Sequence, residues 1–329
     1  MAKSGTFQTK QNTTVRIITE SNMGTTPTNT AYITMPVTDF TFDDIHKHSL
    51  GQAPARTGVG GMAMSDDMVK WTQHDRMFEV SLTFHSTVQA LNRICLALYG
   101  DDDGANALTG AMPSVTAYSH GTSNAVPVTL LFENSAHDGD TVDMYFTSCM
   151  CTGLTLTGDI ASNGGVVMGT ATFVTAYKPT EAALSLSGSE TTLSAQTAMF
   201  NMHDLQTTTL DGEDLLLYSF DISISRAVNR VGFDSSNDFR PMGYAVGAYE
   251  VTGNLTCKRD GEVDDAINNT AGMVLDLDTT VFQITGSKVF VDTVGISFDD
   301  DGWKQTIPLV FTYDSAATTN AVITIGTSA

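Results

Sequence analysis

Apolar and polar residues alternate over short stretches along most of the chain, which is the signature of half-buried strands. Ile33, Met35, Val37, Phe40 and Phe42 mark one such stretch over residues 31–45, and Phe78-Glu-Val-Ser-Leu-Thr-Phe84 marks another. Residues 126–177 read as three or four strands, with turns at Asp138-Gly139-Asp140 and Asn163-Gly164-Gly165. One segment changes period. Val88, Leu91, Ile94, Cys95 and Leu98 form a stripe at helical spacing, which predicts a helix over 86–99. Ser86 or Thr87 can cap its start and Gly100 can end it.

The second half carries the same run of elements. Strands are expected near 197–202 and 215–224, then at Tyr249–Cys257, followed by a weaker helix over 261–269. Asp260 is its candidate cap, with Val263, Ala266 and Ile267 on its apolar face. Later strands are expected at 273–285, 289–298 and 306–313, with Ala321–Ile325 as an extra one. Leu82-Thr83 matches Leu255-Thr256, Ile94 matches Ile267 at the same offset, Gly153-Leu154 matches Gly295-Ile296, and Tyr177 matches Tyr313. The repeat is as long as a domain, far longer than a solenoid repeat. It predicts a mainly β chain with two tandem copies of one domain, each with one short helix and its own core. The expected divisions are an N-terminal arm (1–30), a first domain (31–178), a linker (179–195) and a second domain (196–329). The first domain holds a long loop at 46–70 and an insertion at 101–125; the second holds a long loop at 226–247.

Composition narrows the function. Thr, Ser and Gly are abundant and there are only 8 prolines, which favours strands and turns. The formal charge of −21, from 16 basic and 37 acidic residues, argues against stable binding to nucleic acid or to an anionic membrane. It fits either solubility at high concentration or a surface that repels DNA so that DNA passes without sticking. Cys95, Cys149, Cys151 and Cys257 lack zinc-ligand spacing and are expected to be buried free thiols, in keeping with a reducing cytoplasm. The first residues lack the apolar stretch of a secretory signal, and no run reaches a membrane span.

No chemistry stands out. His46 and His48 flank Lys47 without an evident third ligand. Asp101-Asp-Asp-Gly104 and Asp299-Asp-Asp-Gly302 do not continue into a calcium loop ending in Glu. There is no G-x-S-x-G, and Gly58-Val-Gly-Gly61 lies outside a strand-to-helix turn. No catalytic, cofactor-binding or metal-binding residue is therefore nominated, and the chain is not read as an enzyme.

In order, the elements resemble the tail tube proteins of long-tailed bacteriophages, in the group with two tube domains per chain. Glu20-Ser-Asn-Met-Gly-Thr-Thr-Pro27 is similar to that family's E-x-x-x-G-T-T-P stretch. Phe78 to Gly100 resembles its strand and short helix, Thr147 to Tyr177 its closing strands, and Val251-Thr-Gly-Asn-Leu-Thr256 its second-domain strand. The longer insertion at 101–125 and the polar second helix depart from the pattern. The resemblance implies tandem tube domains, each a β-sandwich or partial barrel with one flanking helix, in a major tail tube subunit whose trimeric rings, with pseudo-sixfold symmetry, stack into a tube. The acidic, β-lined lumen would conduct the genome, and the chain would reside in the virion tail after assembly in the host cytoplasm. Implied partners are further copies of the chain, the tape-measure protein, and tail-tip and terminator proteins, with DNA passing unbound. Lumen strands are expected to carry mostly Asp, Glu, Ser and Thr. Lys47, Arg56, Arg226, Arg230 and Arg240 are expected to meet acidic surfaces of neighbouring subunits. The alternatives are a terminator or baseplate-hub ring of the same fold, or a two-domain β-sandwich adhesin or binding module.

Overall fold

A computed structural model describes residues 13–43, 49–52, 69–72, 77–100, 107–109, 115–116, 125–134, 143–232, 241–299, 302–313 and 321–327. The fold is mainly β. The first half contains β1 (Thr13–Thr19), β2 (Tyr32–Thr34), β3 (Val37–Phe42), the ribbon β4 (Ser49–Gln52) and β5 (Val69–Thr72), β6 (Phe78–His85) and α1 (Val88–Tyr99). It continues with β7 (Ala107–Thr109), β8 (Val115–Thr116), β9 (Val128–Asn134), β10 (Met144–Asp159) and β11 (Met168–Thr175). A connecting segment carries β12 (Thr180–Glu181) and β13 (Glu190–Thr191). The second half contains β14 (Leu205–Leu210), β15 (Glu213–Asp214), β16 (Leu217–Val231), β17 (Gly243–Lys258) and α2 (Gly261–Ile267). It ends with β18 (Met273–Thr279), β19 (Gln283–Val291), β20 (Gly295–Asp299), β21 (Gly302–Phe311) and β22 (Ala321–Gly326).

The first helix forms where the stripe predicts it. The Thr87 hydroxyl accepts from the Ala90 N–H at 3.2 Å. Gly100, at φ 86°, donates its own N–H to the carbonyls of Cys95 and Leu96. A residue with a Cβ resists that left-handed geometry, so the glycine ends the helix.

Pairing register shows that the duplication covers whole units. β6 lies between β3 and β11, and β11 pairs β10. In the same way β17 lies between β16 and β21, and β21 pairs β20. Phe40 stands opposite Leu82 as Phe220 stands opposite Leu255. Thr83 stands opposite Thr170 as Thr256 stands opposite Thr306. Both helices begin three residues after their strands, at Val88 and Gly261. The second layer repeats too. β9 pairs β1 and the start of β10, as β18 pairs β14 and β19. Thus β10, one long strand that bends between layers, corresponds to β19 and β20 together. Its bend coincides with a register break between Phe146 and Cys149 and with Ser148 at φ 51°.

Three expectations need correction. Residues 13–30 are not an arm, because Thr13–Thr19 pairs with both β2 and β9 and buries Ile17 and Ile18 completely. Val15 and Ile17 alternate with polar neighbours, but the Thr-rich context hid the strand. Residues 197–202 form no strand; they contribute isolated bridges at Met199 and Asn201. Half of the expected 226–247 loop is strand, since β16 runs on to Val231 and β17 begins at Gly243, and residues 233–240 lie outside the described residues.

The halves also share one core. β10 pairs β16 from Gly153↔Ser225 to Asp159↔Ser219, which joins the two four-stranded units edge to edge. The result is an eight-stranded antiparallel sheet in the order β3-β6-β11-β10-β16-β17-β21-β20. One apolar cluster extends from Val15 to Ile325 across both halves, with Phe200, Phe220 and Phe282 packed ring to ring near the join. The insertion after α1 also crosses over, because β7 pairs β22 and β8 pairs β17. Among the described residues the ladders branch without closing into a barrel.

Candidate functional surface

The eight-stranded sheet presents two unlike faces, because alternate side chains on a strand point opposite ways. Val80, Leu82, Phe84, Leu154, Leu156, Ile222, Ile224, Leu255, Ile307 and Leu309 point into the core. The other face is polar. From β3 to β20 it carries Thr41, Ser81, Thr83, Thr170, Thr172, Thr155, Thr157, Ser219, Ser223, Thr252, Asn254, Thr256, Thr306 and Ser297. Hydroxyls bond to one another across the strands. Thr83 and Thr170 meet at 3.3 Å, Thr155 and Ser223 at 3.1 Å, and the Thr157 hydroxyl reaches the Asp221 carboxylate at 3.3 Å. The last two contacts bridge β10 and β16, so the polar surface is continuous across the join. Its charged members are Asp39, Glu79, Asp159, Asp221 and Glu250 against Lys258 and Lys304 at one end. A wide face of paired hydroxyls with more acid than base offers water many partners and offers a phosphate backbone few cations.

Two of the residues nominated from sequence, Arg226 and Arg230, lie among the described residues. Lys47, Arg56 and Arg240 lie outside the described residues. Arg226 sits in β16, not in a loop, and is 6% exposed. Its Nε and Nη2 donate to the Cys151 carbonyl at 3.0 and 2.9 Å, and Nη1 donates to the Tyr249 hydroxyl at 2.9 Å. Tyr249 in turn donates to the Leu98 carbonyl at 2.6 Å, at the end of α1. Burial lowers the Arg226 guanidinium from its ordinary range and pushes the Tyr249 phenol up to about 12. The sequence suggested a solvated cation reaching another subunit, but the structure gives Arg226 a place in the seam within its own chain. Arg230, four residues further along β16, is half-buried, and burial also lowers its pKa.

A second polar centre escaped the sequence reading. Glu20 is 1% exposed and accepts from the Thr129 hydroxyl and the Ser148 N–H, both at 2.6 Å, and from the Ser148 hydroxyl at 2.8 Å. The Ser148 hydroxyl also accepts from the Gly24 N–H at 2.6 Å. Burial outweighs these bonds and raises the carboxyl to about 7. The E-x-x-x-G spacing was visible in the sequence, but its buried partner Ser148 lies more than a hundred residues away.

All four cysteines are free and buried, as expected. Burial pushes the Cys151 thiol up to about 12 and raises the Cys149 thiol well above its ordinary range, which makes both poor nucleophiles. Among the described residues no cluster of His, Cys, Asp and Glu could hold a metal, and no helix is long and apolar enough to cross a membrane. No protein-family model and no curated protein matches the chain.

Proposed function

We propose that this chain is the major subunit of a bacteriophage tail tube, a structural virion protein that associates side by side with copies of itself. Trimeric rings of pseudo-sixfold symmetry stack into a tube, with the polar sheet face lining the channel. The observation that carries this reading is the eight-stranded sheet. Two equivalent four-stranded units already lie edge to edge in one chain, so adding further chains in the same way continues one surface. The hydroxyl- and carboxylate-rich face suits a conduit, because DNA phosphates find few cations there and slide rather than bind. Tape-measure and tail-tip proteins are the further partners of such a tube.

Negative-stain electron microscopy of the purified chain at high concentration, with two-dimensional averaging, tests the proposal. Rings or stacked tubes with a central hole and threefold or sixfold symmetry are expected. Isolated particles at every concentration, in the presence of tail-tip components as well, would overturn it.

A further inference from the structure

Among the described residues no further strand flanks either end of the eight-stranded sheet: β3 pairs only with β6, and β20 pairs only with β21. Edges of this kind attract further strands. The duplicated architecture shows what each edge fits. β3 corresponds to β16, because Phe40, Thr41 and Phe42 stand opposite Leu82, Ser81 and Val80 as Phe220, Asp221 and Ile222 stand opposite Leu255, Asn254 and Gly253. β20 corresponds to the end of β10, because Gly295 stands opposite Thr306 as Thr155 stands opposite Thr170. Inside the chain, the end of β10 pairs with β16. The same pairing between β20 and β3 can be made only with a second copy.

The exposed apolar residues point the same way. Ile296 is 51% exposed and Trp303 55%, whereas their counterparts Leu156 and Val167 are 1% and 0% exposed. Phe42 is 40% exposed, whereas its counterpart Ile222 is 1% exposed. Phe298, 69% exposed, lies tilted against Trp303 at 5.2 Å between ring centroids. A similar contrast holds on the other side of the sheet. Val310 and Tyr313 are exposed, but their counterparts Val174 and Tyr177 pack with Tyr244 of the β16–β17 hairpin.

We infer that β20 of one copy pairs antiparallel with β3 of the next, in the register that the internal β10–β16 join displays. Leu156↔Ile222, Thr157↔Asp221 and Gly158↔Phe220 within the chain then become Ile296↔Phe42, Ser297↔Thr41 and Phe298↔Phe40 between chains. The contact is head to tail, so it propagates until a ring closes. Where the internal join sets a glycine against Phe220, the join between chains sets ring against ring, a favourable cross-strand pair. This inference rests on the tube reading for its purpose and on the internal repeat for its geometry.

The test is disulfide trapping in the full chain under assembly conditions, with Ser297→Cys and Thr41→Cys combined. The native cysteines are buried and leave the background low. The expected result is a ladder on a non-reducing gel that needs both substitutions and ends at a closed covalent trimer. Comparable linking by either single variant would mean like edges meet, and would overturn the inference. So would stronger linking of Ser297→Cys with Asp39→Cys, a slip of two residues, or no linking by a variant that melts like the wild type. As a second measurement, Phe298→Asp should lose assembly with unchanged far-ultraviolet circular dichroism and melting; retained assembly would overturn the inference. Microscopy of the linked product separates the two readings. Linked chains forming open filaments without a hole would uphold the register and sink the tube, whereas rings from chains that fail to link would do the reverse.

Discussion

Replacing Arg226 with alanine tests whether this residue locks the seam between the two units. The substitution removes two charge-assisted bonds to the Cys151 carbonyl and one to Tyr249. It also removes a guanidinium lying 5.4 Å from the Tyr249 ring centroid. Tyr249 keeps its own bond to Leu98, so the carbonyl bears most of the polar loss. Bonds from a charged donor contribute about 1.5–3 kcal/mol, and the buried stem adds about 0.8 kcal/mol for each lost CH₂. Relief from holding a cation out of water offsets part of this, so we expect a net loss of about 2–4 kcal/mol. Arg226→Met retains the stem and should recover the packing part. Arg226→Lys retains the charge but offers one nitrogen in place of a fork, and should recover only part of the bonding. Urea unfolding of dilute, unassembled protein, followed by circular dichroism, would measure the midpoint shift at constant slope. An Arg226→Ala protein within about 0.5 kcal/mol of wild type would refute the seam. Normal stability combined with failed assembly would instead return Arg226 to the role of contacting another subunit.

Other expectations follow from single sites. Glu20 has its folded-state pKa raised from 4.5 to about 7, so its contribution is fully present below pH 4.5 and is lost as the pH rises through 7. The loss is about 3 kcal/mol at most; the melting temperature should fall across that window, and Glu20→Gln should flatten the dependence. An equal slope in both proteins would show that other groups set it. A Cβ at Gly158 would lie 2.5 Å from the Phe220 ring and 2.7 Å from the Met202 sulfur, so Gly158→Val should cost roughly 1–3 kcal/mol. A thermal melt equal to wild type would contradict that tight join. Thr87→Ala removes the α1 cap and the 2.8 Å bond to Gln196. It should cost about 1–2 kcal/mol in urea unfolding, and no change would mean that the cap is dispensable.

Much of the fold was legible in the sequence, because α1 and β6 announce themselves through periodicity and punctuation. The repeat was visible for a similar reason: Leu82-Thr83 and Leu255-Thr256 hold equivalent places beside their helices. The closing strands were misaligned by two residues. Gly153 resembles Gly295 in type, but the register sets Thr155 in that place. A slip of two leaves every side chain on its original face, so the alternation pattern cannot detect it. β14, Leu-Gln-Thr-Thr-Thr-Leu, was missed because its alternation is mostly polar. Arg226 was misplaced because a charged residue amid Arg, Asn and Gly reads as loop, and the Cys151 carbonyl and Tyr249 that hold it are distant in sequence. The polar sheet face was legible in composition, but only the register showed its hydroxyls meeting across strands.

The segment between the two units is fastened along its length. Ser187 donates its N–H to Thr28, Tyr32 donates to Ser189, and the Gln196 amide donates to the Thr34 carbonyl. Gly188 lies so close to the Thr30 backbone that a side chain would have no room. Such a connection acts as a strut, and it holds β16 beside β10 at high effective concentration. On the proposed reading, half of the joins in each ring are therefore intramolecular and form at any dilution. Protein concentration then governs only the other half, so three encounters between chains complete a circle of six units.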